Sequence, residues 1–182
     1  LTSESLKNLK YLGIGGMEYS ENSIKTVLKY IQSTSHLVTL DLSGSKNFST
    51  ILKAVPGSSI TDLNLSDCIF DDKSVSQLNH ACQFVPTLNI SGCDLNFYEV
   101  SNVISKVGKK LDLLVSIKLN GLNFSKERSF AILRGFLLTD LDKSKSIEMN
   151  DTQISSTELF AFQALFLKMK RLEHLSFDSD FK

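Results

Sequence analysis

The chain has 182 residues, 42% of them hydrophobic, and its 20 Lys and Arg residues balance its 20 Asp and Glu residues. This length and composition predict one folded domain over residues 1–182 and exclude a small disulfide-stapled scaffold. The balanced charge argues against broad electrostatic binding to nucleic acid, and no apolar stretch approaches the length of a membrane span. Residue 1 is Leu and no signal peptide is visible, so we expect a slice of a longer protein.

A pattern close to L-x-x-L-x-L recurs along the whole chain. Its seven copies begin near residues 9, 37, 60, 85, 114, 144 and 172, so their starts are 23 to 30 positions apart. Each copy predicts one short strand, and a fixed repeat of this kind predicts that the strands stack side by side. The sequence therefore predicts an α/β solenoid with a parallel sheet of about seven strands.

Between the copies the apolar spacing changes to about 3.6 residues, which predicts one helix per repeat. Ser20, Ser125 and Ser156 stand where three of these helices begin, and the segment 48–55 is too short for more than about two turns. Apolar residues at helical spacing are expected to face the core, and they are Ile24, Val27, Leu28 and Ile31, then Val75, Leu78, Ala81 and Cys82, then Val100, Val103, Ile104 and Val107, then Ile132, Leu133, Phe136 and Leu137, and last Leu159, Phe162, Leu165, Phe166 and Met169.

Helical repeats near 28 residues resemble the ribonuclease-inhibitor type of leucine-rich repeat. That resemblance implies a horseshoe with the parallel sheet on its concave face and the helices on its convex face. The segments 59–66, 81–91, 114–124 and 174–181 also look like the repeats of the CARMIL family, large cytosolic proteins that regulate actin capping protein. The family's basic segment that binds capping protein lies outside its repeats and has no counterpart here, so the resemblance implies a cytoplasmic scaffold linked to the actin cytoskeleton without assigning that activity to any residue.

The chemistry-bearing residues favour structural roles, and we predict no catalytic, cofactor or metal site. His36, His80 and His174 lie in different repeats, without the ligand spacing of a metal site. Cys68 and Cys93 occupy a buried turn position, and three cysteines cannot all pair within one chain, which favours a reducing compartment. Asn-X-Ser/Thr triplets leave a secreted protein open as an alternative, and they begin at Asn47, Asn64, Asn89, Asn123 and Asn150.

The third, fifth and seventh residues of each copy are expected on the concave face of the sheet, because alternate strand residues point to the same side. The charged and large polar candidates for protein binding on that face are Tyr11, Asp41, Asp62, Asp67, Lys118, Glu148 and His174. We expect Asp41, Asp62 and Asp67 to form an acidic cluster without a basic neighbour. Lys118 is expected to face Glu148 across adjacent strands.

These observations predict a non-enzymatic protein-interaction scaffold in the cytosol whose partner is another protein. Two alternatives stay open. One is a regulatory or recognition repeat domain fused to an enzyme or effector module outside this sequence, and the other is a secreted recognition module.

Overall fold

The computed structural model describes residue 6 and residues 8–111, 113–122, 126–137, 144–152, 156–167 and 169–177. Over these ranges short strands alternate with helices along the chain. The strands are β1 (Tyr11–Gly13), β2 (Thr39–Asp41), β3 (Asp62–Asn64), β4 (Thr87–Asn89), β5 (Ser116–Lys118), β6 (Ser146–Met149) and β7 (His174–Phe177). The α-helices are α1 (Glu21–Ser33), α2 (Ser49–Leu52), α3 (Asp72–Ala81), α4 (Phe97–Ile104), α5 (Lys126–Leu137) and α6 (Ser156–Phe166). Two 3-10 turns follow α3 and α4, at Cys82–Phe84 and Lys109–Leu111.

All seven strands belong to one parallel sheet, and their order in the sheet is their order in the chain. The register is constant, since the third residue of each sequence copy pairs with the third residue of the next. Tyr11 lies beside Thr39, for example, and Lys118 lies beside Glu148. The predictions of an α/β class and of one parallel strand per copy are therefore confirmed.

The helix boundaries follow from local capping. Ser20 caps α1 as predicted, because its hydroxyl accepts a hydrogen bond of 3.3 Å from the backbone N–H of Ser23. Asp71 and Asn96 cap α3 and α4, and each takes part in a reciprocal capping box. Helix α6 begins at Ser156 as predicted, whereas Ser125 lies outside the described residues. None of the helices in the described ranges is both long enough and apolar enough to cross a membrane.

The core lies between the sheet and the helices. The middle residues of the central strands are buried, and they pack in one apolar cluster with the inner faces of the helices. These middle residues are Leu40, Leu63, Leu88, Ile117 and Ile147. Gly135 brings α5 close to α4, since a Cβ there would lie 2.7 Å from the backbone carbonyl oxygen of Ser101.

Two of the predicted core positions need comment. Leu137 was expected to face inward, but it is 57% exposed, so that prediction is wrong. Ile132 and Phe136 already occupy the buried side of α5, and one further residue at 3.6 per turn rotates Leu137 away from it. The side chain of Leu159 lies outside the described residues.

A left-handed turn follows each of the first six strands, always at the eighth residue of the sequence copy. The φ angles there lie between 55° and 69°. The six residues are Gly16, Gly44, Asp67, Gly92, Gly121 and Asp151. Glycine adopts this conformation without steric cost, and Asp is among the few other residues that tolerate it. The repeated turn therefore reverses the chain in the same way after each of the first six strands.

Candidate functional site

The face of the sheet opposite the helices carries the candidate site, and we call it the open face. It is formed by the third and fifth residues of the copies, which are partly or fully exposed while the residue between them points into the core. The third residues are Tyr11, Thr39, Asp62, Thr87, Ser116, Ser146 and His174, and the fifth are Gly13, Asp41, Asn64, Asn89, Lys118, Glu148 and Ser176. Six of the seven candidate residues lie on this face.

Asp41 and Tyr11 form a pair at the β1–β2 end of the open face. The Tyr11 hydroxyl donates to Asp41 Oδ2 at 2.9 Å, and the backbone N–H of Ser43 donates to Asp41 Oδ1 at the same distance. Partial burial raises the pKa of Asp41, but hydrogen bonds from Ser43, Asn64 and Tyr11 outweigh it, so the pKa lies below its ordinary value. The hydrogen bond to the Asp41 carboxylate raises the pKa of Tyr11. Asp41 is therefore an ionised carboxylate whose two oxygens both accept hydrogen bonds.

Asp62 lies on the neighbouring strand, diagonal to Asp41, because its register partner on β2 is Thr39. The hydroxyl of Thr61 donates to Asp62 Oδ2 at 3.2 Å. Within the described ranges neither carboxylate has a Lys or Arg ion-pair partner. These two strands thus give the open face its acidic end.

The placement of Asp67 on this face is wrong. Strand β3 ends at Asn64, and Asp67 is the left-handed residue of the following turn, with φ of 57°. Its backbone N–H donates to the carbonyl of Ser91 at 2.8 Å, and its carboxylate packs over Gly92, where a Cβ would overlap it. The expected cluster of three acids is therefore a diagonal pair, Asp41 and Asp62, with Asp67 at the edge of the sheet.

Lys118, Glu148 and His174 meet on β5, β6 and β7, at the other end of the open face. Lys118 Nζ lies 2.9 Å from Glu148 Oε1, as predicted, and His174 Nε2 lies 3.9 Å from the same oxygen. Burial raises the pKa of Glu148, but hydrogen bonds from Lys118 and Asn120 and the positive charge of Lys118 outweigh it, so the pKa lies below its ordinary value. The sequence placed these three residues on one face, and the structure brings them into one cluster.

Sequence reasoning missed the amide network that supports this cluster. Asn120 Nδ2 donates to Glu148 Oε2 at 3.3 Å, and Asn120 Oδ1 accepts from the backbone N–H of Asn150 at 2.8 Å. Ser176 Oγ donates to Asn150 Oδ1 at 2.7 Å. The available signal was the pair of Asn residues at the seventh position of consecutive copies, where facing amides can bond across strands.

The three cysteines are buried and free. Cys68 Sγ donates to the carbonyl of Leu42 at 3.1 Å, and Cys93 Sγ donates to the carbonyl of Leu65 at 3.0 Å. Burial raises the pKa of Cys68 to about 11 and the pKa of Cys82 and of Cys93 to about 12. The thiolate is the reactive form of cysteine, and a raised pKa keeps these thiols protonated, so they are poor nucleophiles. Their side chains pack in the core.

The buried turn position of Cys68 and Cys93 is the ninth residue of the copy. Copies two and six place the small hydroxyl side chains of Ser45 and Thr152 there, whereas copies one and five have Met17 and Leu122. Ser45 Oγ accepts from the backbone N–H of Met17 at 3.2 Å, and Thr152 Oγ1 donates to the carbonyl of Met149 at 2.7 Å. Both are buried. A short hydrogen-bonding side chain at this position therefore satisfies the turn backbone, whether it carries sulfur or oxygen.

An apolar cleft of about 390 Å³ lies beside β7, away from the polar cluster. Its described lining is Gln163, Phe166, Leu167, Leu175 and Phe177. None of these five side chains is titratable, so they supply no acid, base or nucleophile.

Comparison with known proteins gives no relative: no protein-family model matches the chain, and no curated protein matches it either.

Proposed function

We propose that the chain is a leucine-rich-repeat solenoid, with the open face as the concave side of a horseshoe and the helices on its convex side. Three features that recur at the copy spacing support this: the constant strand register, the left-handed eighth residue of the first six copies and, in four of them, a buried hydrogen-bonding ninth residue. Repeat units that bury their apolar faces only against neighbours form arrays of this kind.

The proposed activity is that of a non-enzymatic scaffold that binds another protein through the open face. The observation that carries it is the register, which aligns polar side chains from seven strands into one surface. Along that surface Asp41 and Asp62 give an acidic end, Asn64 and Asn89 a neutral centre, and the cluster around Lys118 a mixed end. Exposed polar residues on a rigid sheet provide electrostatic complementarity, which sets partner choice and association rate more than affinity.

The proposal includes a cytosolic location and, from the resemblance to CARMIL repeats, a role near the actin cytoskeleton. Three free, buried thiols suit a reducing compartment.

The experiment is an affinity capture from cell lysate, with the 182-residue chain as bait, followed by a binding assay with the captured protein. The face variant is Asp41→Asn/Asp62→Asn. Its control is Glu21→Gln/Asp72→Asn, which removes the same charge from the exposed first turns of α1 and α3. We expect the face variant to bind more slowly and with weaker salt dependence, and the control to bind like the unmodified chain. Equal binding by all three proteins would contradict the use of this end of the face.

A further inference from the structure

The cluster of Lys118, Glu148 and His174 presents its two basic side chains to solvent and keeps its acid inside. The Glu148 side chain is 17% exposed, while those of Lys118 and His174 are 43% and 57% exposed. Both oxygens of Glu148 already have partners, since Oε1 faces Lys118 and His174 and Oε2 accepts from Asn120. A ligand that approaches the open face here therefore meets the ammonium and the imidazole first.

The donors of these two side chains exceed what the cluster uses. An ammonium group carries three N–H donors, and a protonated imidazole carries two. Glu148 Oε1 accepts from Lys118 Nζ at 2.9 Å and lies 3.9 Å from His174 Nε2. The ammonium and the imidazole therefore both lie close to the same carboxylate oxygen. A carboxylate accepts charge-assisted hydrogen bonds of about 2.8 Å through each of its two oxygens, so a single carboxylate can accept from the Lys118 ammonium and the His174 imidazole at once.

We propose that Lys118 and His174 form a binding site for a carboxylate of the partner protein, and that protonation of His174 strengthens this binding. While His174 is neutral, Lys118 and Glu148 cancel each other's charge. Once it is protonated, the three side chains carry a net positive charge that an incoming carboxylate neutralises. The inference rests on the proposed function, because it names the chemistry of the partner on the same face.

Among the described residues, the groups around His174 leave this charge uncompensated. On β6 the charged group that faces it is Glu148, which also holds Lys118 of β5. Lys145, just before β6, and Glu173, just before β7, pair with each other at 3.1 Å. Arg171 adds an exposed positive charge on the segment that leads into β7. No strand lies beyond β7 in the part of the chain that the structure describes.

The test measures binding of a fluorescent oligoglutamate peptide to the 182-residue chain at about pH 6 and about pH 8, where glutamate side chains stay ionised and histidine titrates. We expect binding to be about two- to fivefold tighter at the lower pH, the range for one exposed ion pair. His174→Gln should abolish this pH dependence. Lys118→Met should weaken binding at both pH values.

His36→Gln is the matched control, because His36 is exposed but lies in the loop before β2, away from the cluster. It should retain the full pH dependence. As a second readout, the NMR titration midpoint of His174 should move to higher pH when the peptide is bound, since binding and protonation are reciprocally linked.

Three results would overturn the proposal: no peptide binding at either pH, the same pH dependence in His174→Gln, or an unmoved titration midpoint. Failure of this site is distinguishable from failure of the proposed function. If the peptide does not bind but Asp41→Asn/Asp62→Asn still slows binding of the captured protein, the scaffold function is supported and the carboxylate site is rejected.

Discussion

Replacing Gly108 with alanine should destabilise the chain more than the same replacement at Gly16, although both glycines have a left-handed backbone. Their φ angles are 64° and 69°, so both variants carry the same conformational cost of about 1–2 kcal/mol. A Cβ on Gly16 would meet no heavy atom within 4 Å. A Cβ on Gly108 would overlap the backbone carbonyl oxygen of Leu113 and lie 2.6 Å from its carbon.

The overlap at Gly108 involves backbone on both sides, so no side-chain rotation relieves it. The loop is also anchored, because the N–H of Gly108 donates to the carbonyl of Cys82 at 2.8 Å and the N–H of Leu113 donates to the carbonyl of Gly108 at 3.2 Å. Overpacking costs roughly 1–3 kcal/mol, which gives Gly108→Ala a total loss of about 2–5 kcal/mol. Alanine restricts the unfolded chain equally in both variants, so that effect cancels in the difference.

Urea unfolding of the two variants and the unmodified chain, followed by circular dichroism, measures both losses. Gly16→Ala should lower the free energy of unfolding by about 1–2 kcal/mol, and Gly108→Ala by clearly more. Equal losses, or a larger loss at Gly16, would refute the steric argument and the path of the loop between α4 and β5.

Three more predictions test the core, the thiols and a helix cap. Leu88→Ala should cost about 2–5 kcal/mol of unfolding free energy, because Leu88 is fully buried in the central strand β4; a loss comparable to that of a surface variant would contradict its position. A thiol reagent should count three cysteines in denaturant without reductant and label them slowly in the folded chain, since burial disfavours their thiolates; a count of one would indicate a disulfide. Asp71→Ala should cost about 1 kcal/mol near neutral pH. Hydrogen bonds from the Ser74 side chain and backbone hold the pKa of Asp71 below its ordinary value, so this difference should be present above that value and shrink as pH falls through the lowered one; a pH-independent difference would contradict it.

The strands and their register were predictable because a parallel sheet of stacked repeats depends on one local pattern and one spacing. Once Leu40, Leu63 and Leu88 are aligned as equivalent residues, the period of two in a strand fixes which neighbours reach the open face. The cap at Ser20 was predictable for the same reason, since it depends on backbone only three residues away.

The two wrong predictions, for Asp67 and Leu137, concern the direction in which one side chain points. Asp67 is one residue beyond the last position that alternates onto the face, and the left-handed turn there breaks the alternation. The recurring glycine at the eighth residue, as at Gly44 and Gly92, was the sequence signal for that turn. The prediction for Leu137 was wrong because this residue lies about 100° around α5 from the buried Phe136 and falls on the exposed side of the helix.

Apart from the Lys118–Glu148 pair, the side-chain partners within the site could not be predicted. Tyr11 and Asp41 are 30 positions apart, and Asn120 and Glu148 are 28 apart, so each contact depends on the rotamers of two side chains brought together only by the finished sheet. The sequence indicates which residues share a face, while the hydrogen bonds that hold Asp41 and Glu148 ionised belong to the folded structure.

Hydroxyl-radical footprinting of the chain with and without its captured partner tests the central claim, that the partner binds the open face, most directly. Tyr11 and His174 are exposed reporters on the open face, and Tyr98 on α4 and His36 in the loop before β2 are exposed reporters elsewhere. We predict that partner binding protects Tyr11 or His174, or both, from oxidation and leaves Tyr98 and His36 as reactive as in the free chain. Protection of Tyr98 or His36 with unchanged oxidation of Tyr11 and His174 would contradict the account.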